Sequence, residues 1–275
     1  ADFSAAVVQA VRFFQKPAGR PFSVSVRGQG GVPAWSVDAI DVMLLDQTWP
    51  LHWKNGRVSA EGLTLPLAAL ASLMPNLADA SGTIRLDVAT NPVALQARLE
   101  EVEAVLNAEH AVGPISGSLA YHGDTLSTEG LTFRGANSDL SVSGHMTPEG
   151  WNARVSGAHL DVNAFLALWS RAKQLPVLSL LGPPDQVAEA TATRDGTVRV
   201  SVENVIFRRA QIQDVRATVA VRPGGLTVEP LEFSPYTGVA TGRAGVIFPS
   251  GQEPARYQVD LTIEGGSVRL VDELA

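Results

Sequence analysis

Five histidines, His52, His110, His122, His145 and His159, are the side chains of this chain best suited to holding a metal or moving a proton near neutral pH. Zinc sites draw ligands from close spacings, and no pair here forms His-x-His or His-Glu-x-x-His. Strand pairing could bring His145 and His159 closer together; otherwise the five read as surface strand histidines. The densest acidic run, Glu100-Glu101-Val102-Glu103, lacks the ligand-rich loop that calcium needs and reads as a solvated face. Gly28-Gln29-Gly30-Gly31 looks like the start of a phosphate loop, but no Gly-Lys-Ser/Thr follows and no helix is expected there, so it reads as a turn. Asp124 and Asp195 each precede or follow a glycine in the manner of ordinary turn residues. There is no Gly-x-Ser-x-Gly elbow for a serine nucleophile. With no cysteine, disulfides, thiolate zinc sites and thiol catalysis are excluded. These residues imply no catalytic group, metal or cofactor, and the expectation is a protein that is not an enzyme.

The remaining signal is apolar. Of 275 residues, 45% are hydrophobic and 18% charged, too apolar for a disordered chain. Aromatics are 6%, so the interior must be built from Val, Leu and Ala. The net charge of −7 comes without any basic cluster, which disfavours nucleic acid and charge-driven attachment to anionic membranes. No apolar run approaches the ~20 residues that span a bilayer. The opening Ala1-Asp2-Phe3-Ser4 has no signal-peptide character and reads as a cut into a longer protein.

The elements that carry this apolar content are mostly strands. A helix is expected over Asp2–Lys16, from the stripe Phe3, Ala6/Val7, Ala10/Val11 and Phe14. Strands are expected over 21–28, 35–45, 57–65 and 81–90. Over 93–108 the Glu, Ala and Leu content favours a helix locally, while Val93, Leu95, Ala97 and Leu99 alternate as in a strand, the reading its neighbours favour. A loop is expected through Trp49-Pro50, and a short helix over Pro66–Leu77. Between Ile115 and Leu160 short alternating runs are punctuated by turn chemistry at His122-Gly123-Asp124, Gly135-Ala136-Asn137 and Thr147–Gly150. Leu140, Val142 and Met146 share one parity there, and Trp151, Ala153 and Val155 another, as in a hairpin with one buried face. Asp161 should cap a helix whose buried stripe is Val162, Phe165, Leu166 and Trp169, with Pro176 interrupting and Gly182-Pro183-Pro184 ending the region. Strands resume over 186–194, an Asp195-Gly196 hairpin turn, 197–208, 211–222, a Pro223–Gly225 turn, then 255–265 and 267–271. No linker is evident, so residues 1–275 read as a single elongated unit of mainly β structure with a few short helices, clearest over 115–275.

One cadence recurs. Leu126–Gly144 and Gly225–Gly242 both read as a strand, a small-residue turn and a second strand ending in glycine, the second turning around Ser234-Pro235-Tyr236. Repetition of this kind builds a surface or channel rather than a catalytic pocket. The apolar positions of the alternating strands supply the groove candidates Leu119, Tyr121, Leu131, Phe133, Leu140, Val142, Val200, Val202, Leu226 and Val228. The same alternation would also fill an ordinary sandwich core, and small residues with few aromatics suit either.

Ile115-Ser116-Gly117, the Gly130-Leu131…Ser138-Asp139-Leu140…Gly144 spacing, Ala158–Leu168 with its Leu160-Asp161-Val162 step, and Ile212–Val215 followed by Gly225–Gly242 resemble the repeats of the AsmA family. Its relatives include TamB-like and bridge-like lipid-transfer proteins. The resemblance covers the second half strongly and the first half weakly, and implies a piece from the carboxyl-terminal region of a longer protein. It implies a curled, repeating antiparallel sheet forming an open apolar groove. It further implies a periplasmic location, anchorage in the inner membrane by an amino-terminal helix absent from this sequence, and non-enzymatic handling of phospholipid acyl chains for transport between membranes or outer-membrane assembly. A non-catalytic β scaffold binding an envelope protein is the alternative. An enzyme of the carbohydrate-active β-solenoid kind would instead need two carboxylates on neighbouring strands.

Overall fold

The computed structural model of the chain describes residues 8–11, 14–16, 22–31, 34–44, 47–54, 57–68, 79–90, 92–106, 110–172, 194–235, 238–247 and 256–265. Two compact units are present, Ala1–Leu126 and Ser127–Ala275. The first contains β1 (Val8–Val11), β2 (Phe14–Lys16), β3 (Phe22–Gly31), β4 (Ala34–Leu44), β5 (Gln47–Lys54), β6 (Arg57–Pro66), β7 (Asp79–Ala89), β8 (Ala94–Leu106) and β9 (His110–His122). β10 (Thr125–Gly135) begins at the boundary and is described with the second unit. There it is followed by β11 (Ser138–Met146), β12 (Gly150–Asp161), α1 (Val162–Ala172), β13 (Asp195–Phe207), β14 (Ala210–Arg222), β15 (Gly225–Pro235), β16 (Val239–Ile247) and β17 (Arg256–Glu264).

The protein is mainly β, as its alternating sequence requires. β1 and β2 pair with each other alone; β3 to β9 in the first unit, and β10 to β17 in the second, are hydrogen-bonded in chain order without closing into a barrel. Consecutive strands joined by short turns pair antiparallel, because two or three turn residues suffice to reverse the chain. At Ala136 and Asn137, φ is 47° and 52°. Two successive left-handed residues are what a two-residue hairpin turn needs to match strand twist.

One pairing differs. β12 and β13 run parallel, with Gly150 opposite Asp195 and Val155 opposite Val200. Parallel neighbours need a long crossover, and the segment containing α1 supplies it. The expected Asp195-Gly196 hairpin turn is therefore wrong: both residues open β13. A Cβ at Gly196 would collide with the indole of Trp151, its register partner, so the glycine makes room for a ring rather than for a turn.

Further expectations are corrected. Gly28, Gln29, Gly30 and Gly31, expected as a turn, lie within β3 opposite Val37, Ser36, Trp35 and Ala34. Residues 8–11 and 14–16 form the β1–β2 antiparallel pair, not a helix. The valines and phenylalanines that made the helical stripe are also strong strand formers; residues 2–7 lie outside the described residues. Trp49 and Pro50 lie within β5, with Val42 opposite Trp49 and Asp41 opposite Pro50, rather than in a loop. Pro66 ends β6 and residues 67–68 turn helical; the rest of that expected helix, the expected strands at 186–193 and 267–271, and the prolines at 176, 183 and 184 lie outside the described residues.

Candidate functional site

Residues directly opposite one another in a sheet point to the same side, so the register determines each face. In the second unit Val142 faces Val155, Val155 faces Val200, Val200 faces Ala217, Ala217 faces Leu231, Leu231 faces Gly242, and Gly242 faces Leu261. One residue along, Ser141, Ser156, Ser201, Arg216, Glu232, Thr241 and Thr262 form the corresponding row on the other side. The row Gly144, Ala153, Val198, Val219, Val228, Ala244, Val259 repeats the apolar character. The unit thus has one wholly apolar face and one hydrophilic face, across strands of both pairing directions. Bulges between Gln213 and Arg216 and between Val228 and Leu231 advance their strands by one residue yet keep apolar side chains on the same side.

The first unit follows the same rule. Leu63, Leu86, Ala97 and Leu119 share one row, and Ala60, Val88, Leu95 and Tyr121 the next. Their reverse side carries Thr64, Arg85, Arg98 and Ser118.

By register eight of the ten groove candidates lie on apolar faces, Leu119 and Tyr121 in the first unit and Leu140, Val142, Val200, Val202, Leu226 and Val228 in the second; Phe133 joins them by packing, and Leu131 lies two residues before it on β10. Their surroundings differ. Leu140 and Val202 are buried with Val205 in a cluster that also packs Phe133, Val155, Val200 and Val162 of α1. The edge of the Phe165 ring meets Phe133 with centroids 6.2 Å apart and planes at 89°. Here the helix covers the sheet, so Phe133, Leu140, Val200 and Val202 belong to a packed core. Val142, Leu131, Leu226 and Val228 are half-buried. On β17 the apolar side is open: Tyr257 and Val259, opposite Val246 and Ala244, are 76% and 70% exposed.

The helix is positioned by polar contacts that the sequence pattern gave only in part. Asp161 Oδ1 accepts the Ala164 N–H at 3.0 Å, the expected cap, while its own N–H donates to Ser138 Oγ at 3.1 Å. Asn163 clasps the β13–β14 turn in both directions: its Nδ2 donates to the Arg208 carbonyl at 3.2 Å and its Oδ1 accepts the Arg208 N–H at 2.9 Å. Of the expected buried stripe, Leu166 is instead 54% exposed.

The titratable residues do not converge. His159 faces Asp139 at one end of the β11–β12 pair and His145 faces Asn152 near the other, where Asn152 Nδ2 and His145 Nε2 are 2.8 Å apart. Pairing therefore holds the two histidines apart. Glu100 bridges Arg85 and Arg98 at 3.3 and 3.5 Å, while Glu101 sits at a bulge with φ of 48° and accepts the Ser116 hydroxyl at 3.1 Å. Among the described residues no three His, Asp or Glu side chains could together hold a metal, and no helix is long and apolar enough to cross a membrane. A depression of about 750 Å³ in the first unit is lined by Arg57, Glu61, Asp87, Gln96, Tyr121 and His122. It brings two carboxylates onto neighbouring strands, but Asp87 Oδ1 is engaged by the Gly62 N–H at 2.6 Å, fixing the bulge between Ala60 and Leu63.

Comparison with protein-family models, curated proteins and solved structures finds no match.

Proposed function

We propose that the chain is a non-enzymatic lipid-binding module whose apolar sheet faces hold phospholipid acyl chains, as part of a bacterial envelope protein that moves lipid between inner and outer membranes or supports outer-membrane assembly. The observation that carries this reading is the apolar face of the second unit, whose row Gly144, Ala153, Val198, Val219, Val228, Ala244, Val259 runs from β11 to β17 beside the part that α1 covers. The likeness of 115–168 and 211–246 to AsmA-family repeats supplies the periplasmic setting and the inner-membrane anchor.

The mechanism is passive partition. Burying a ~16-carbon chain against such a face is worth on the order of 10 kcal/mol, at about 0.8 kcal/mol per methylene. The small residues Ala153, Ala217 and Ala244 alternate with larger valines and leucines on this face, an uneven surface suited to a methylene chain. The head group stays in water and no bond is broken, so the module lowers the cost of crossing an aqueous gap without catalysis.

Native mass spectrometry of the purified protein should show phospholipid-sized adducts that Val142→Asp and Val259→Asp remove. A folded sample that carries no lipid, and acquires none from phospholipid vesicles, refutes the proposal. A second reading, a β scaffold for an envelope protein, is favoured by the exposed side of Tyr257 and Val259. It predicts capture of one defined partner that survives Val142→Asp.

A further inference from the structure

The hydrophilic face of the second unit carries an arrangement unrelated to acyl chains. Arg154 on β12 and Arg199 on β13 are direct register partners. Arg216 on β14 lies one row away, opposite Ser201. All three are exposed and line a depression of about 330 Å³ together with Ser201, Thr218 and Glu232.

Like charges directly opposite in a sheet repel and destabilise the pair. Two other sites show arginines neutralised. Arg85 and Arg98 are also register partners, and Glu100 sits against both. Arg243 faces Asp260 and reaches it at 3.3 Å. By contrast, no ion pair among the described residues involves Arg154, Arg199 or Arg216. The residues facing the first two across the sheet are Ser143 and Thr218, which offer hydroxyls and no charge. Glu232 faces Arg216 without forming an ion pair, leaving three guanidinium groups and one carboxylate in the depression. In a chain of net charge −7 an uncompensated arginine cluster stands out from its surroundings.

The geometry points to a phosphoryl-binding site centred on Arg154 and Arg199, with Arg216 and the Ser201 and Thr218 hydroxyls completing the donors. Guanidinium forks match phosphate oxygens in pairs of parallel N–H···O bonds. Arginines from three adjacent strands approach a tetrahedral anion from different directions. The phosphate comes either free in solution or on a lipid headgroup at a membrane surface. Because the site lies on the side opposite the apolar face, it is independent of acyl binding by that face.

The test uses the whole chain and two probes: inorganic phosphate, by calorimetric titration against chloride at matched ionic strength, and phosphatidylcholine vesicles with or without phosphatidic acid, by co-sedimentation. Arg154→Ala and Arg199→Ala should each weaken binding about 10-fold or more, since one charge-assisted hydrogen-bonding partner is lost. Arg243→Ala, on the same face but ion-paired, should leave it unchanged. The unliganded double variant R154A/R199A should unfold at the same or a higher temperature than the parent, because a repulsion is removed. Arginine-dependent binding of inorganic phosphate identifies a soluble ligand; arginine-dependent binding of phosphatidic acid vesicles alone identifies a headgroup. Binding of neither probe, binding that survives R154A/R199A, or a marked loss of thermal stability in that variant overturns the assignment.

Discussion

Trp151 and Gly196 show how one residue type can be chosen by its neighbour. The indole lies over the glycine on the apolar face, where any Cβ would collide with the ring. Gly196→Val should expel the ring and destabilise the second unit by about 2 kcal/mol or more, in the range of overpacked cores. Chemical denaturation measures the loss, and tryptophan emission should shift to the red as Trp151 gains water. A smaller effect is expected at the β11–β12 turn. The Glu149 carboxyl is held below its ordinary range, first by the Thr147 hydroxyl and then by its own backbone N–H. Since its folded pKa is depressed, whatever it adds to the turn is present above the ordinary carboxylate pKa and is lost as pH falls through the folded value. Thr147→Ala should move the Glu149 titration upward in a carboxyl-carbon NMR experiment; an unchanged midpoint would show that the hydroxyl has no part in it.

The element that departs from a simple meander is α1. It is fixed by the Asp161 cap, the Asn163 clasp and the Phe133–Phe165 contact. Asp161→Ala should cost about 1 kcal/mol, the usual worth of a cap. Leu166→Ala should stay within about 0.5 kcal/mol because the side chain is largely solvated. Equal losses at both positions in urea unfolding would contradict this account of the helix. At this scale the sequence was legible wherever alternation and turn chemistry agreed, as from Thr125 to Asp161 and from Ala210 to Ile247. It misled where a local signal had a non-local cause. Asp195-Gly196 has the composition of a hairpin turn, but the parallel partner that explains the glycine lies 45 positions away, at Trp151. The stripe from Phe3 to Phe14 fits a helix by spacing, yet its valines and phenylalanines serve equally in strands. The groove candidates were placed on apolar faces by parity alone. Parity is silent on what covers a face, so the burial of Leu140 and Val202 beneath α1 needed the structure. The arginine cluster was equally hidden, because Arg154, Arg199 and Arg216 are isolated in sequence and meet only through register.

For the molecule as a whole, the two proposals assign different roles to the two faces of the second unit. In each unit one side is apolar and built from Val, Leu, Ala and Gly, while the other carries the charged and hydroxylated residues. The proposed acyl-chain site uses the first side of the second unit and the proposed anion site the other. The central claim is that the apolar side holds lipid, and it is tested most directly by face-resolved crosslinking. A photoreactive amino acid is placed in turn at Val142, Val228 and Val259 on the apolar side and at Ser156, Thr241 and Thr262 on the hydrophilic side, and the folded protein is irradiated with radiolabelled phospholipid. The account predicts label at the first three positions and background at the last three; equal labelling of both sides, or none at Val142, Val228 and Val259, would contradict it.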